Sequence, residues 1–168
     1  DYVEPVMFSY AVSEVIETAH NILVKPHGMS SIAQFHEWMT GAGLLGLKKR
    51  APEIATVFTT HATILGRTLA SSGMDIYTTM DHIAPQREAS AHNITAKYSL
   101  EAASAREADC FTTVSEITAR EAKNFLGRQP DMITPNGLDM ENIPDLAADR
   151  TEGRKSRERL LAAAARFL

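Results

Sequence analysis

The sequence has little cysteine, little excess charge and no long apolar run, and each shortage excludes a class of protein. The single cysteine, Cys110, cannot form an internal disulfide, which favours a reducing, cytoplasmic setting. The formal net charge of −4 provides no strong basic field, so nucleic acid is not an expected partner. The most apolar stretch, residues 7–24, is interrupted by Glu14 and Glu17, so we expect no membrane span.

Motifs for metals and nucleotide cofactors are also missing. The sequence has neither a G-x-x-x-x-G-K-[ST] loop nor a G-x-G-x-x-G fingerprint, and the glycines of 41–46 only imitate the latter. Four histidines show no ligand spacing with cysteines or acids: His20, His27, His82 and His92. We therefore expect no metal site and no bound cofactor.

The composition that remains is that of a folded domain. At 168 residues, 44% of them hydrophobic and 23% charged, the chain is long enough to bury one core and is not typical of a disordered protein. It opens on Asp1 and stops at Leu168 inside a helical pattern. We expect it to be a fragment of a larger protein.

Apolar periodicity predicts helices that alternate with short strands. The predicted strands are 31–35, 54–58, 109–113 and 131–134. The predicted helices are 7–23, 40–50, 62–71, 86–108, one capped by Thr113 and Glu116 that runs to 126, and 150–168, with a loop over 138–149. Gly127 is placed to end the fifth helix in the left-handed conformation. The strands are too far apart for hairpins and require parallel crossovers, so the predicted fold class is α/β.

Polar residues follow every predicted strand, and in a parallel sheet these four positions share one edge. They are His36 with Glu37, His61, Thr112 with Thr113 and Ser115, and Asn136 with Gly137. His61 begins a turn into a helix that carries Arg67 six residues later. This pair is well placed to hold a polar, phosphorylated ligand.

Structural roles are open for several of these residues. His36 could be a buried histidine bonded to a backbone carbonyl, and it would point away from Glu37 unless the strand has already ended. Thr113 and Ser115 are most simply helix caps. The basic run 150–159 is most simply a solvated helix face. Core packing is the simplest role for two others, Trp38 and Cys110.

Four segments contain these polar positions: FHEWMTGAG at 35–43, VFTTHATILGR at 57–67, FTTVSEIT at 111–118 and TPNGL at 134–138. In order and with their spacing they resemble the glycogen synthases of the animal and fungal type, which use UDP-glucose and also occur in some bacteria. The resemblance extends from about residue 8 to 168.

The resemblance implies a retaining glucosyltransferase of the two-domain GT-B architecture. Such an enzyme moves glucose from UDP-glucose to the non-reducing 4-hydroxyl of an α-1,4-glucan, with the nucleotide sugar as substrate and no further cofactor. Residues 1–149 would be part of the amino-terminal, Rossmann-like, acceptor-side domain, and 150–168 a helix leading toward the carboxyl-terminal domain. Because the family's Gly-rich loop and second domain have no counterpart here, we expect this chain alone to be inactive. A homo-oligomer is left open.

The resemblance also assigns roles by position. His61 would contact the donor glucose near its 6-hydroxyl and the reaction centre. Arg67 would lie near the donor phosphates, where a fixed guanidinium helps the leaving group. Glu37 and His36 would line the floor of the sugar site, and Asn136 the acceptor side.

Two rival functions remain at this point. One is another GT-B transferase, such as a sucrose synthase-like enzyme, which donor competition would distinguish. The other is a non-catalytic glucan-binding or scaffold protein of the same fold. The presence of His61, Arg67 and Glu37 together speaks against a decayed site.

Overall fold

The computed structural model describes residues 2–138 and 146–165, with side chains from 153 onward in the second range. It divides into two compact units, Asp1–Pro135 and Asn136–Leu168. The strands of the first unit are β1 (Ile32–His36), β2 (Ala55–Thr60), β3 (Cys110–Thr113) and β4 (Met132–Ile133). Its α-helices are α1 (Val3–Ala19), α2 (Glu37–Arg50), α3 (Ile64–Ser71), α4 (Ile76–Thr79), α5 (Pro85–Ala91), α6 (Thr95–Glu107) and α7 (Glu116–Glu121). The second unit contains α8 (Leu146–Ala164).

Short non-α turns complete the helical segments. The helical path of α1 continues as a π-helix over His20–Val24, and that of α7 over Ala122–Leu126. Single 3₁₀ turns follow at Lys25–His27 and Met80–His82. Gly127 ends the π-helical extension of α7 at φ +75°, which confirms the predicted left-handed terminator.

The four strands form one parallel sheet in the order β1-β2-β3-β4, which confirms the α/β, Rossmann-like class. The register places Phe35 beside Phe58 and Phe58 beside Phe111. At the carboxyl ends, His36 pairs with Thr59 and Thr60 with Thr113. The predicted polar positions of the first three strands therefore do share one edge.

The core lies on one face of this sheet. Phe58 and Phe111 are fully buried and stack with ring centroids 5.9 Å apart. Leucines of α2 and α3 complete the core, and four of them are completely buried: Leu44, Leu47, Leu65 and Leu69. On the opposite face, Ile32 of β1 is 74% exposed.

Cys110 is half-buried, so its predicted role as a packed core thiol is wrong. It precedes Phe111 in β3 and therefore points to the opposite side of the sheet from the phenylalanine core.

The predicted helix 86–108 is two helices. Asn93 lies between α5 and α6 in the left-handed conformation, φ +57°. The amide of Ile94 donates to the carbonyl of Ala89 at 2.9 Å, and that of Asn93 to Ser90 at 3.1 Å. These are the two bonds of a Schellman ending, which Asn tolerates after Gly. Because the segment is rich in alanine, a strong helix former, its pattern did not indicate the break at Asn93.

The predicted capping box at Thr113 is also wrong. Ser115 caps α7, because its hydroxyl accepts from the amide of Thr118 at 3.1 Å. Thr113 continues the strand instead and pairs with Thr60.

Helix boundaries differ from the prediction in three further places. α1 begins at Val3 and α2 at Glu37, each earlier than predicted. α8 begins at Leu146, within the predicted loop of 138–149, whose residues 139–145 lie outside the described part of the chain. The predicted end of that helix, 166–168, also lies outside it.

Candidate functional site

β1 ends at His36, and Glu37 is already the first residue of α2. Glu37 has φ +64°, a left-handed conformation that is uncommon for a residue with a side chain and that marks strained functional turns. The Glu37 carboxylate accepts a hydrogen bond from the backbone amide of His61 at 2.9 Å. The strand has ended, so the predicted divergence of His36 and Glu37 does not occur.

Two imidazoles meet at the ends of β1 and β2. Nδ1 of His36 lies 3.1 Å from Nε2 of His61, and the rings stack with centroids 5.3 Å apart at 28°. A hydrogen bond between two imidazoles needs one donor and one acceptor, so one of these nitrogens carries a hydrogen. His36 is exposed, and the interpretation of it as a buried structural histidine is therefore wrong.

The turn after β2 leads into α3, whose cap is Thr63. The Thr63 hydroxyl accepts from the amide of Gly66 at 3.0 Å. Arg67 follows one turn into the helix and is exposed. His61, which precedes the cap, and Arg67, which follows it, are therefore both exposed beside the same turn.

A pocket of about 260 Å³ lies beside this turn. Its lining joins the start of α2 to the start of α3 and consists of Glu37, Trp38, Met39, Ala62, Ile64 and Arg67. Trp38 is 9% exposed and has the Lys97 ammonium 5.0 Å from its ring centre, consistent with the packing role predicted for it. A carboxylate and a guanidinium in one small pocket suit a ligand with hydroxyls and negative charge.

Two glutamates that the sequence analysis did not select lie beneath this turn. Glu101 of α6 is fully buried and Glu121 of α7 is 6% exposed. Glu101 Oε2 accepts from the amide of Ile64 at 2.9 Å, and Glu121 Oε2 accepts from the Thr63 hydroxyl at 2.8 Å. Burial raises the pKa of Glu101 to about 8 and raises that of Glu121 as well.

Of the hydroxyls at the end of β3 and the start of α7, those of Thr112 and Thr118 have structural roles. Thr112 and Thr59 share a hydrogen bond of 2.8 Å across the sheet. Thr118 of α7 donates to the carbonyl of His61 at 3.4 Å. Thr113 Oγ1 is buried and has no hydrogen-bond partner among the described residues.

Asn136 is the first residue of the second unit and is exposed there. Its predicted place on the acceptor side stays a prediction. The structure thus brings His36, Glu37, His61 and Arg67 together and leaves the fifth predicted site residue unassigned.

Within the described residues, no three metal-ligating side chains of histidine, cysteine, aspartate or glutamate converge in a manner that could hold a metal ion. In the same part of the chain, every helix falls short of the length or apolarity needed to cross a membrane.

A family model described as glycogen synthase matches residues 2–150, most of the chain. The chain belongs to the glycogen synthase family. Every residue of the sheet and of the candidate site falls within the matched range, and the part of α8 beyond residue 150 lies outside it.

Individual members of the glycogen synthase family are similar over much of the chain. The liver glycogen [starch] synthase of Mus musculus is 50% identical over 116 residues, 69% of this chain and 16% of the relative. Glycogen [starch] synthase of Caenorhabditis elegans is 50% identical over 109 residues, 65% of this chain and 16% of the relative. Isoform 2 of Saccharomyces cerevisiae is 42% identical over 139 residues, 82% of this chain and 19% of the relative. The chain spans less than a fifth of the length of these relatives.

Proposed function

We propose that the protein to which this chain belongs is a glycogen synthase that transfers glucose, with retention, from UDP-glucose to the non-reducing 4-hydroxyl of an α-1,4-glucan. Family membership supports the reaction class. The observation that carries the site is the backbone of His61, held by Glu37 beside a pocket that contains Arg67. A fixed turn of this kind provides the preorganised donors on which glycosyl transfer depends.

Each site residue has a role in this proposal. His61 contacts the transferred glucose near the reaction centre, and Arg67 stabilises the negative charge that develops on the diphosphate leaving group. Glu37 and His36 line the sugar-binding floor, and Asn136 contacts the acceptor. The nucleotide sugar enters as a substrate, so no resident cofactor is required.

The architecture of the whole enzyme is part of the proposal. Residues 1–149 supply part of the amino-terminal, acceptor-side domain of a two-domain GT-B enzyme, with 150–168 leading toward the domain that binds the nucleotide. The isolated chain is therefore expected to be inactive, and the setting is expected to be cytoplasmic. A homo-oligomer remains compatible with this arrangement.

The test is glucose transfer from UDP-glucose to glycogen by the full-length protein. His61→Ala should abolish most of the turnover while the protein remains folded. The control is His27→Ala, at an exposed histidine distant in sequence from His61, which should have no effect on turnover. Unchanged turnover in His61→Ala would refute the site assignment. Competition between UDP-glucose and ADP-glucose then identifies the preferred donor.

The same assay addresses the rival functions. Glycogen binding without transfer by the wild-type protein would favour a scaffold. Transfer to fructose in place of glucan would favour a sucrose synthase-like enzyme. Family membership supports glycogen synthesis over both.

A further inference from the structure

Two buried carboxyl groups reach the same turn from different helices. Glu101 comes from α6 and Glu121 from α7, and both approach the segment between β2 and α3 from the core side. Glu101 accepts from the amide of Ile64, and Glu121 from the hydroxyl of Thr63. The positive end of the α3 dipole favours carboxylates at this position.

The contact with Glu121 continues into the first turn of α3. The Thr63 hydroxyl donates to Glu121 and accepts from the amide of Gly66, which forms a continuous chain of hydrogen bonds. A Cβ on Gly66 would clash with the Glu121 carboxylate and with the Thr63 hydroxyl. Only glycine therefore allows the carboxylate to approach α3 this closely.

The remaining polar groups of the turn are held from other sides. The amide of His61 donates to Glu37 and its carbonyl accepts from Thr118. Thr60, the last residue of β2, is within 3.5 Å of Glu101. The polar contacts of residues 60–64 thus tie the turn to three helices, α2, α6 and α7.

A stability role alone does not account for two buried carboxyls. Burial of a charged group is costly, and apolar residues of similar volume often stabilise a core as well or better. Glu37 and Glu121 both disfavour the charged form of Glu101, in addition to its burial, so this carboxyl is held in its protonated form. Arg67 supplies opposite charge and favours the charged form of Glu121.

We propose that Glu101 and Glu121 are positioning residues that fix the turn between β2 and α3 and thereby align His61 and Arg67 for transfer. Glu101 fixes the start of α3 through Ile64. Glu121 fixes its cap through Thr63 and lies in the field of Arg67. The kinetic consequence rests on the proposed function, whereas the ordering of the turn does not.

The experiment uses the full-length protein with Glu101→Leu and Glu121→Leu, which keep the side-chain volume and remove the acceptors. Loss of alignment on the scale of an ångström should lower kcat/KM by about ten- to a hundredfold, mainly through kcat. Glu101→Gln and Glu121→Gln retain an acceptor oxygen and should recover most of the loss. Hydrogen exchange should quicken over residues 61–67 in the Leu variants.

The matched control is Asp109→Leu. Asp109 accepts from the amide of Thr56 at 2.7 Å, a carboxylate-to-backbone bond at the opposite end of β2. This variant should lower stability yet leave kcat/KM of the folded protein and exchange over 61–67 unchanged. If Glu101→Leu and Glu121→Leu behave like this control, the two residues are merely structural and the proposal is overturned.

Two further outcomes remain decisive. If a Leu variant does not fold, Thr63→Val replaces it, because it removes the hydroxyl that joins Glu121 to Gly66; unchanged exchange and kinetics would again overturn the proposal. If the wild-type protein transfers no glucose, the proposed function fails. Hydrogen exchange over 61–67 then still decides whether the two carboxyls order the turn.

Discussion

The amino and carboxyl ends of the parallel sheet both contain acidic and basic side chains, but these side chains are paired differently at the two ends. At the amino end, Asp109 is paired with Lys48 and Asp131 with Arg128, and both carboxylates also accept backbone amides. At the carboxyl end, the carboxyls of Glu37, Glu101 and Glu121 surround one turn, and Arg67 acts on Glu121 from nearby. Buried carboxyls with raised pKa values mark a candidate functional end, whereas exposed, paired aspartates are ordinary structural contacts.

Backbone strain and unsatisfied hydrogen-bonding groups show the same contrast between the two ends. Glu37 at the carboxyl end of β1 has a strained positive φ, and Thr113 at the end of β3 has a buried hydroxyl without a partner among the described residues. At the amino end, Arg128 donates to the carbonyls of Ala105 and Ala108 at 2.7 and 2.8 Å and to Asp131 at 2.6 Å. Strain and unsatisfied groups therefore concentrate where ligands bind open α/β sheets.

The largest effect is expected from Arg67→Ala in the full-length protein. Removing a fixed cation from the leaving-group side should lower kcat/KM by roughly 10²- to 10³-fold. Stability should change by less than about 0.5 kcal/mol, because Arg67 is exposed. Steady-state kinetics with UDP-glucose measures the loss in kcat/KM, and denaturant unfolding measures the change in stability.

Arg67→Lys should restore only part of the rate, because an ammonium cannot make the bidentate contact of a guanidinium. Arg87→Ala, at an exposed arginine of α5, is the control and should leave kcat/KM unchanged. An equal loss in both alanine variants would remove the functional distinction between the two ends of the sheet.

The next effect is expected from Arg128→Ala at the amino end. Loss of its bonds to two carbonyls and to Asp131 should destabilise the fold by about 2 kcal/mol. Turnover per folded molecule should not change, since Arg128 is at the opposite end of the strands from His61. Denaturant unfolding and kinetics on the same samples check both statements.

Arg120→Ala, at an exposed position of α7, is the comparison for Arg128 and should be nearly neutral. A kinetic defect in Arg128→Ala at full folding would show that the amino end also controls the site.

The third effect is a difference in how carboxyl groups at the two ends make the free energy of unfolding depend on pH. The pKa of Glu101 is raised from 4.5 to about 8, so between these values the folded chain retains a proton that the unfolded chain has released. This contribution to stability is fully present below about pH 4.5 and decreases as the pH rises toward 8, by up to roughly 1.4 kcal/mol per pH unit. Asp109 behaves oppositely, because hydrogen bonding to Lys48 lowers its pKa below 3.8.

Glu101→Gln should therefore flatten the decline in the free energy of unfolding between about pH 5 and 8. Asp109→Asn should change the pH dependence only in the acid range, where the contribution of Asp109 is lost as the pH falls through its lowered pKa. Parallel curves for Glu101→Gln and the wild type above pH 5 would contradict a protonated Glu101.

The sequence predicted the features that depend on local periodicity and on the parallel direction of the strands. The runs around Phe58 and Phe111 indicated strands, and the predicted parallel topology placed His36 and His61 at one edge, as observed. The left-handed Glu37 was not predictable, because nothing in a glutamate after a strand indicates positive φ. The break at Asn93 could have been suspected from the tolerance of Asn for that conformation.

The buried glutamates were missed for a different reason. Their contacts with the turn span 37 and 58 residues of sequence, which no local pattern records. The available signal is helical spacing: Glu101 lies three residues after Tyr98 and four before Ala105, both buried. A charged residue on an apolar helix face is evidence of a buried polar contact, although it does not identify the partner.

The smallest effect distinguishes two predicted caps, Ser115, which the structure confirms, and Thr113, which does not cap a helix. Ser115→Ala removes the acceptor for the amide of Thr118 and should destabilise α7 by about 1 kcal/mol. Thr113→Val replaces a buried hydroxyl without a described partner by a methyl of the same shape, which should be neutral or stabilising. Denaturant unfolding of both variants measures the difference. If Thr113→Val proves the more destabilising, then the Thr113 hydroxyl is satisfied in the folded protein and the carboxyl end of β3 is better satisfied than the comparison of the two ends requires.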